Sequence, residues 1–297
     1  MSNNPEVLKL QTLLGDHPHV MALKNGQIRS SRLVLDFAAV KMAYPEFKRV
    51  VRDLEFDVAE LALVTYLQAK AHGKPLVLVP AVIFASKAPH AFIVYNAARG
   101  RLGPKDIIGR RVGIRASSVT TVMWARGILQ NDYGVDLERV TWVTFEDAHV
   151  AEFKDPPNAQ RAPAGKKLIT MLLEGEVDAA VVSRDDLKDS RLRPLIPDPE
   201  AAARSWRERH QMLPINHMLV VKQSLSKSNP WAVQEIFRLV AENRKMAGVP
   251  AGVLPLGVEA NRKSLALAIN YAVQQRLIPR RFEVDELFDD VTRALGS

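Results

Sequence analysis

Cysteine is absent from all 297 residues, which excludes thiolate catalysis, disulfides and Cys-ligated zinc. The phosphate loop GxxxxGK(S/T), the dinucleotide fingerprint GxGxxG, the hydrolase elbow GxSxG and the zinc helix HExxH are absent too. Aromatic residues make up only 6% of the chain. With neither zinc-finger spacing nor an RNA-binding aromatic signature, nucleic acid is not an expected partner. No run of about 18 apolar residues occurs, so no membrane span is expected. The opening MSNNPEVLKLQTLLGD has no basic segment leading into a long apolar one, and the expectation is a cytoplasmic protein without a secretory signal.

The chain is 47% hydrophobic and 25% charged, enough for a large core and for two domains. Basic residues outnumber acidic ones 41 to 33, giving a net charge of +8. That field attracts anions, and a small anionic ligand needs only two or three of those cations.

Strand-like runs alternate with helix-like ones. The strands are read at 8–14, 32–37, 76–84, 90–96, 111–116, 140–145, 179–183 and 217–222, with a short one at FDVAE. The helices are read at 42–53, 63–72, 119–131, 166–176, 198–210, 228–246, 258–276 and 283–295. Such alternation, with several continuously apolar strands, predicts an α/β architecture with largely parallel sheets. The stretch 147–166 reads as a surface loop or flap.

Four segments carry candidate chemistry. In RVGIRASSVTTVMWARGIL, Ser117, Ser118, Thr120 and Thr121 gather where a helix begins. Unpaired backbone N–H groups and the positive end of the macrodipole make that a carboxylate or phosphate site, although one hydroxyl would suffice for plain capping. Trp124 shares the face of Thr120 and could stack on an aromatic ring or pack in the core, while Arg126 turns away and reads as structural. In FDVAELALVTYL, Glu60 and Thr65 fall near a strand's C-terminal end, where open α/β sheets bind ligands; a helix-start carboxylate is the other reading of Glu60.

In FASKAPH, the residues Ser86, Lys87 and His90 could bind a carboxylate and move a proton, or form an ordinary polar loop. His217 opens a strongly apolar run, and His17 and His19 flank a proline; no metal site is expected from these histidines.

In order and spacing these segments resemble the 4,5-dihydroxyphthalate decarboxylase family over nearly the whole chain. The match runs through GDHPHVMALKNGQI, FDVAELALVTYL, FASKAPH, RVGIRASSVTTVMWARGILQNDYGV, EGEVDAAVVSR, LPINHMLVV and LPLGVEANRKSL. Departures from the family pattern stand at Ala62, Val64, Lys87, Ser117 and Leu256. The resemblance implies a two-lobed type II periplasmic-binding-protein-like α/β fold with its ligand in the interlobe cleft. Lobe one would comprise 1–95 and 214–297, and lobe two 96–213.

It further implies a lyase of aromatic compound degradation, in phthalate catabolism: a non-oxidative decarboxylase of a hydroxylated aromatic dicarboxylate, acting without a cofactor. His217 or His90 would deliver a proton, and His17, His19 and Glu60 would bind or deprotonate phenols. Lys87, Thr120 and Thr121 would hold the second carboxylate, with Thr65, Ser86, Ser117, Ser118 and Trp124 as further binding residues. A homo-oligomer is compatible with this reading. The alternatives are a non-catalytic binding protein for a small aromatic carboxylate, against which the lack of a leader argues, and another small-molecule enzyme on the same fold.

Overall fold

The computed structural model describes residues 7–250 and 252–296. Its strands are β1 Leu8–Leu13, β2 Leu33–Phe37, β3 Val58–Ala62, β4 Leu76–Ala85, β5 Ile93–Asn96, β6 Arg111–Ile114, β7 Thr141–Thr144, β8 Ala159–Arg161, β9 Ala179–Val181, β10 Leu192–Pro194 and β11 Ile215–Lys222. Its α-helices are α1 Met21–Lys24, α2 Leu63–Ala71, α3 Thr120–Tyr133, α4 Leu168–Glu174, α5 Pro199–His210, α6 Gln223–Ser228, α7 Pro230–Met246, α8 Val258–Gln274 and α9 Asp290–Arg293.

The chain divides into two units. One comprises Met1–Ala85, Ile215–Ala266 and Phe282–Ser297; the other comprises Ser86–Pro214 and Leu267–Arg281. Residues 86–95, 214 and 267–281, expected in the first lobe, therefore belong to the second unit.

In the first unit the strand order is β2-β1-β3-β11-β4. β1 runs parallel to β2 and β3, whereas β11 is antiparallel to both of its neighbours. In the second unit the order is β10-β5-β9-β6-β7-β8, parallel from β9 to β8 and antiparallel at β5 and β10. The sheets are thus mixed rather than largely parallel. In each, a strand arriving from far along the chain pairs antiparallel.

The apolar strands are covered as their composition requires. Leu10, Val58, Val79, Ile83, Leu219 and Val221 pack with Ile236, Leu239 and Val240 of α7. The second unit has its own cluster around Val94, Val143, Met171, Leu172 and Ala180. Fully burying such a side chain contributes about 1.5–3 kcal/mol.

Three expectations need correction. Residues 42–53 form no regular α-helix: Pro45 opens a 3-10 turn at Tyr44–Glu46, and Arg49–Asp53 widens to a π-turn that ends at left-handed Leu54. The helix read at 283–295 is broken, because Asp289 caps a fresh start by accepting the Thr292 N–H at 2.9 Å. The stretch 147–166 is not all loop, since β8 lies within it and pairs parallel with β7. In addition, the run 90–96 begins as a 3-10 turn at Pro89–Phe92 and extends only from Ile93.

Candidate functional site

Glu60 is the fixed point of the first unit's polar cluster. It sits in β3 with 1% exposure, inside the strand, so the helix-start reading is excluded. Across the antiparallel pair, Glu60 faces Leu219 and Ala62 faces His217. Period-2 alternation then places Glu60 and His217 diagonally on one face of the sheet. The β11–β4 register is irregular around His217, the kind of local bulge that re-aims a side chain.

His217 Nδ1 lies 2.6 Å from Glu60 Oε1. His17 Nε2 lies 2.9 Å from Oε1 and 3.0 Å from Oε2, and the Gly15 N–H donates to Oε2 at 2.9 Å. Burial alone would raise the Glu60 pKa. Hydrogen bonds from His17 and His217, and their charges, outweigh it and hold the carboxyl well below the usual carboxylate range. An ionised carboxylate only accepts, so both imidazoles donate to it. That leaves His17 Nδ1 and His217 Nε2 as the nitrogens not turned toward Glu60.

The HPH segment places the other rings. Proline disfavours the helical region for the residue before it, and His17 is extended with φ −88° and ψ 139°. Pro18 then opens a one-turn 3-10 helix, and the His17 and His19 rings stack at 5.4 Å. Phe84 stacks on His17 at 6.1 Å, and Phe47 meets His217 edge-on at 5.2 Å. His19 Nε2 bonds the Ile83 carbonyl at 2.8 Å. Thr65, in the first turn of α2, is fully buried.

The second unit holds the remaining candidates. The N-cap of α3 is Val119, with no side-chain cap, so plain capping does not account for the hydroxyls. Ser117 and Ser118 are buried at 1% and 0% exposure, and among the described residues their Oγ atoms have no partner. Thr120 is buried and Thr121 half-buried at the start of the same helix. Buried hydroxyls beside the positive end of a 14-residue helix suit an anion.

Ser86 is buried and its N–H donates to Pro214 O at 2.9 Å, while Lys87 is exposed. His90 is 2% exposed and packs edge-on against Trp206, and among the described residues its Nδ1 has no partner. Burial pushes its pKa down to about 4, aided by the charges of Arg207 and Arg209. The buried ring is therefore neutral at neutral pH.

Trp124 is fully buried between Trp206 at 6.1 Å and Tyr271 at 5.6 Å, both edge-on. It is a core residue rather than a platform for a ligand ring. Arg126 is buried over the Trp142 ring at 4.5 Å, in keeping with a structural role. Gly127 is demanded by close approach, since a Cβ there would overlap the Tyr271 ring.

Gly15, Phe47, Phe84 and Arg244 were not singled out in the sequence. Arg244 had a signal. Ile236, Val240 and Asn243–Arg244 fall on one helical stripe, so polar residues continue an apolar face. Among the described residues, no group of three or more His, Asp or Glu is disposed to hold a metal ion, and no helix is long and apolar enough to cross a membrane.

No family model matches the chain. A curated 4,5-dihydroxyphthalate decarboxylase from Comamonas testosteroni is 29% identical over 255 residues, covering 81% of this chain and 76% of that protein. One from Pseudomonas putida is 29% identical over 214 residues, covering 67% and 81%.

Among solved structures, the alkanesulfonate-binding protein SsuA from Xanthomonas axonopodis pv. citri, bound to MOPS, superposes with TM-score 0.63 at 15% identity, covering 97% of this chain and 99% of that one. The desulfurization enzyme DSZB gives 0.56 at 15% identity, covering 96% and 97%. The fold is that of the periplasmic-binding-protein-like α/β proteins.

Proposed function

We propose that this chain, a distant relative of the 4,5-dihydroxyphthalate decarboxylases, is a non-oxidative decarboxylase of a hydroxylated aromatic dicarboxylate, with 4,5-dihydroxyphthalate as its substrate. The observation that carries the chemistry is the His17–Glu60–His217 cluster, in which one buried carboxylate orients two imidazoles.

Loss of CO2 from an aryl carboxylate leaves an electron pair on a ring carbon. A hydroxyl para to that carboxylate can relieve this. In the proposed sequence His17 Nδ1 takes the phenolic proton, and the oxygen's electrons enter the ring. Protonated His217 delivers a proton from Nε2 to the carboxyl-bearing carbon, giving a dienone. The bond to the carboxylate then breaks, CO2 departs, and its electron pair restores the aromatic phenolate. That phenolate recovers its proton from His17, and His217 is recharged from solvent.

One proton is consumed and one CO2 released. Glu60 supports whichever imidazole is charged, as a carboxylate supports an imidazolium in other acid–base sites. The Ser117 and Ser118 hydroxyls and the α3 N-terminus support recognition of a carboxylate.

The test is incubation with 4,5-dihydroxyphthalate, watching for CO2 and protocatechuate. Turnover supports the reading, and saturable binding without turnover replaces it with a binding protein on the same fold.

A further inference from the structure

Arg244 carries a charge that the proposed chemistry does not use. It lies in the last turn of α7 and is 5% exposed. Its guanidinium ends among backbone carbonyls. Nη1 donates to Leu254 O at 2.6 Å and to Pro255 O at 3.3 Å, and Nη2 donates to Val82 O. Among the described residues Nε has no acceptor and no Asp or Glu pairs with the guanidinium. Burial lowers its pKa to about 10, which leaves it charged at neutral pH. A buried cation held only by carbonyl dipoles is costly.

The next carbonyl along β4, Ile83 O, is the one that His19 Nε2 bonds at 2.8 Å. A carbonyl can only accept, so Nε2 carries the hydrogen. The neutral ring then keeps its lone pair on Nδ1. Adjacent carbonyls of one strand thus hold Arg244 and His19. Three charged or titratable groups act on His19: His17 from its own segment, Arg244 from α7 and Glu60 from β3. Burial is the largest influence, with the charges of His17 and Arg244 acting the same way. Together they bring its pKa to about 4, against the Ile83 hydrogen bond and Glu60.

We propose that Arg244 is a positioning residue: by anchoring the β4 carbonyl next to the one that holds His19, it fixes that ring with Nε2–H on Ile83 O and the Nδ1 lone pair available to accept a hydroxyl of the ligand. The identity of that ligand rests on the proposed function; the coupling of Arg244 to His19 does not. A neutral acceptor takes a phenolic O–H and gives nothing to a carboxylate. The pair would therefore favour a hydroxylated ring over plain phthalate.

The experiment is a pH titration of His19 by 15N NMR in the ligand-free protein, for wild type, R244K and R244M, with calorimetric binding of 4,5-dihydroxyphthalate and phthalate. In wild type His19 should show the Nε2–H tautomer at neutral pH. R244M should raise its midpoint by about half a pH unit or more, whereas R244K, which keeps the charge, should move it by only about two-tenths. The preference for the hydroxylated ligand should fall about threefold or more in R244M.

An Nδ1–H tautomer in wild type overturns the proposal. So does an unmoved midpoint in R244M, or an equal shift in R244K. The wild-type tautomer and the R244K titration are read whether or not R244M folds. The expected titrations without binding of either phthalate would support the coupling and dismiss the proposed substrate.

Discussion

His217 and Glu60 come from strands far apart in the chain, yet Nδ1 of one lies 2.6 Å from Oε1 of the other, on a single face of the first sheet. The carboxylate also accepts from His17 and from the backbone of Gly15, so its loss would release three donors at once.

Glu60→Gln keeps the shape and removes the charge. Its amide would present a donor toward imidazole N–H groups that already donate. The expected loss of decarboxylation rate is roughly a hundred- to ten-thousandfold. Stability should fall by about 1–3 kcal/mol, through buried donors left unpaired. Steady-state kinetics and urea unfolding measure the two, and a fully active variant would remove Glu60 from the chemistry.

His217→Asn and His17→Asn should separate binding from chemistry. His217→Asn should bind substrate with near-normal affinity and release no CO2 in a single-turnover assay. His17→Asn should be rescued in part at alkaline pH, where the phenol ionises without help. Equal, pH-independent losses in both variants would argue for a purely structural cluster.

Ser118→Ala deletes a buried hydroxyl that has no hydrogen-bond partner among the described residues. Removing an unpaired buried polar group should leave stability unchanged or raise it by about 1 kcal/mol. Dicarboxylate affinity should drop about tenfold, the scale of one hydrogen bond to an anion. Calorimetry that finds affinity intact would take the start of α3 out of ligand recognition.

His90 makes acid stability testable. Its pKa is about 4 in the folded chain, against 6.5 when unperturbed, so the fold favours the neutral ring. The neutral ring is fully compatible with folding above pH 6.5. As pH falls from there to about 4 the unfolded chain takes up a proton that the native one refuses, and stability drops. This contribution is about 2–3 kcal/mol. Urea unfolding from pH 7 to 4.5 should show a shallower decline for His90→Asn than for wild type.

Trp124→Ala should cost about 3–5 kcal/mol, the usual penalty for emptying an aromatic core position. Affinity per folded molecule should stay the same, because Trp206 and Tyr271 enclose the ring. A selective loss of ligand binding at unchanged stability would restore Trp124 as a contact residue.

Much of this was legible in the chain. The alternation of apolar strands and helices foretold the α/β build, and α3, α5 and α7 fall within a residue or two of their expected bounds. Short motifs pointed at His17, Glu60 and His217, but not at their convergence, which depends on β11 inserting antiparallel beside β3. Such pairing between distant segments leaves no local trace. Trp124 was ambiguous because helical spacing says which face a ring shares, not what covers that face. Arg244 was missed because the C-terminal turn of a helix is where exposed cations are expected.

The strand order has a consequence for synthesis. β11, residues Ile215–Lys222, lies between β3 and β4, which are neighbours in sequence but not in the sheet. While the chain leaves the ribosome, those two strands must wait until the whole stretch from Ser86 to Pro214 has emerged. Until then both present open backbone edges, an invitation to pair wrongly. His217 arrives on the late strand, so the His17–Glu60–His217 cluster is completed by the same event that closes the sheet.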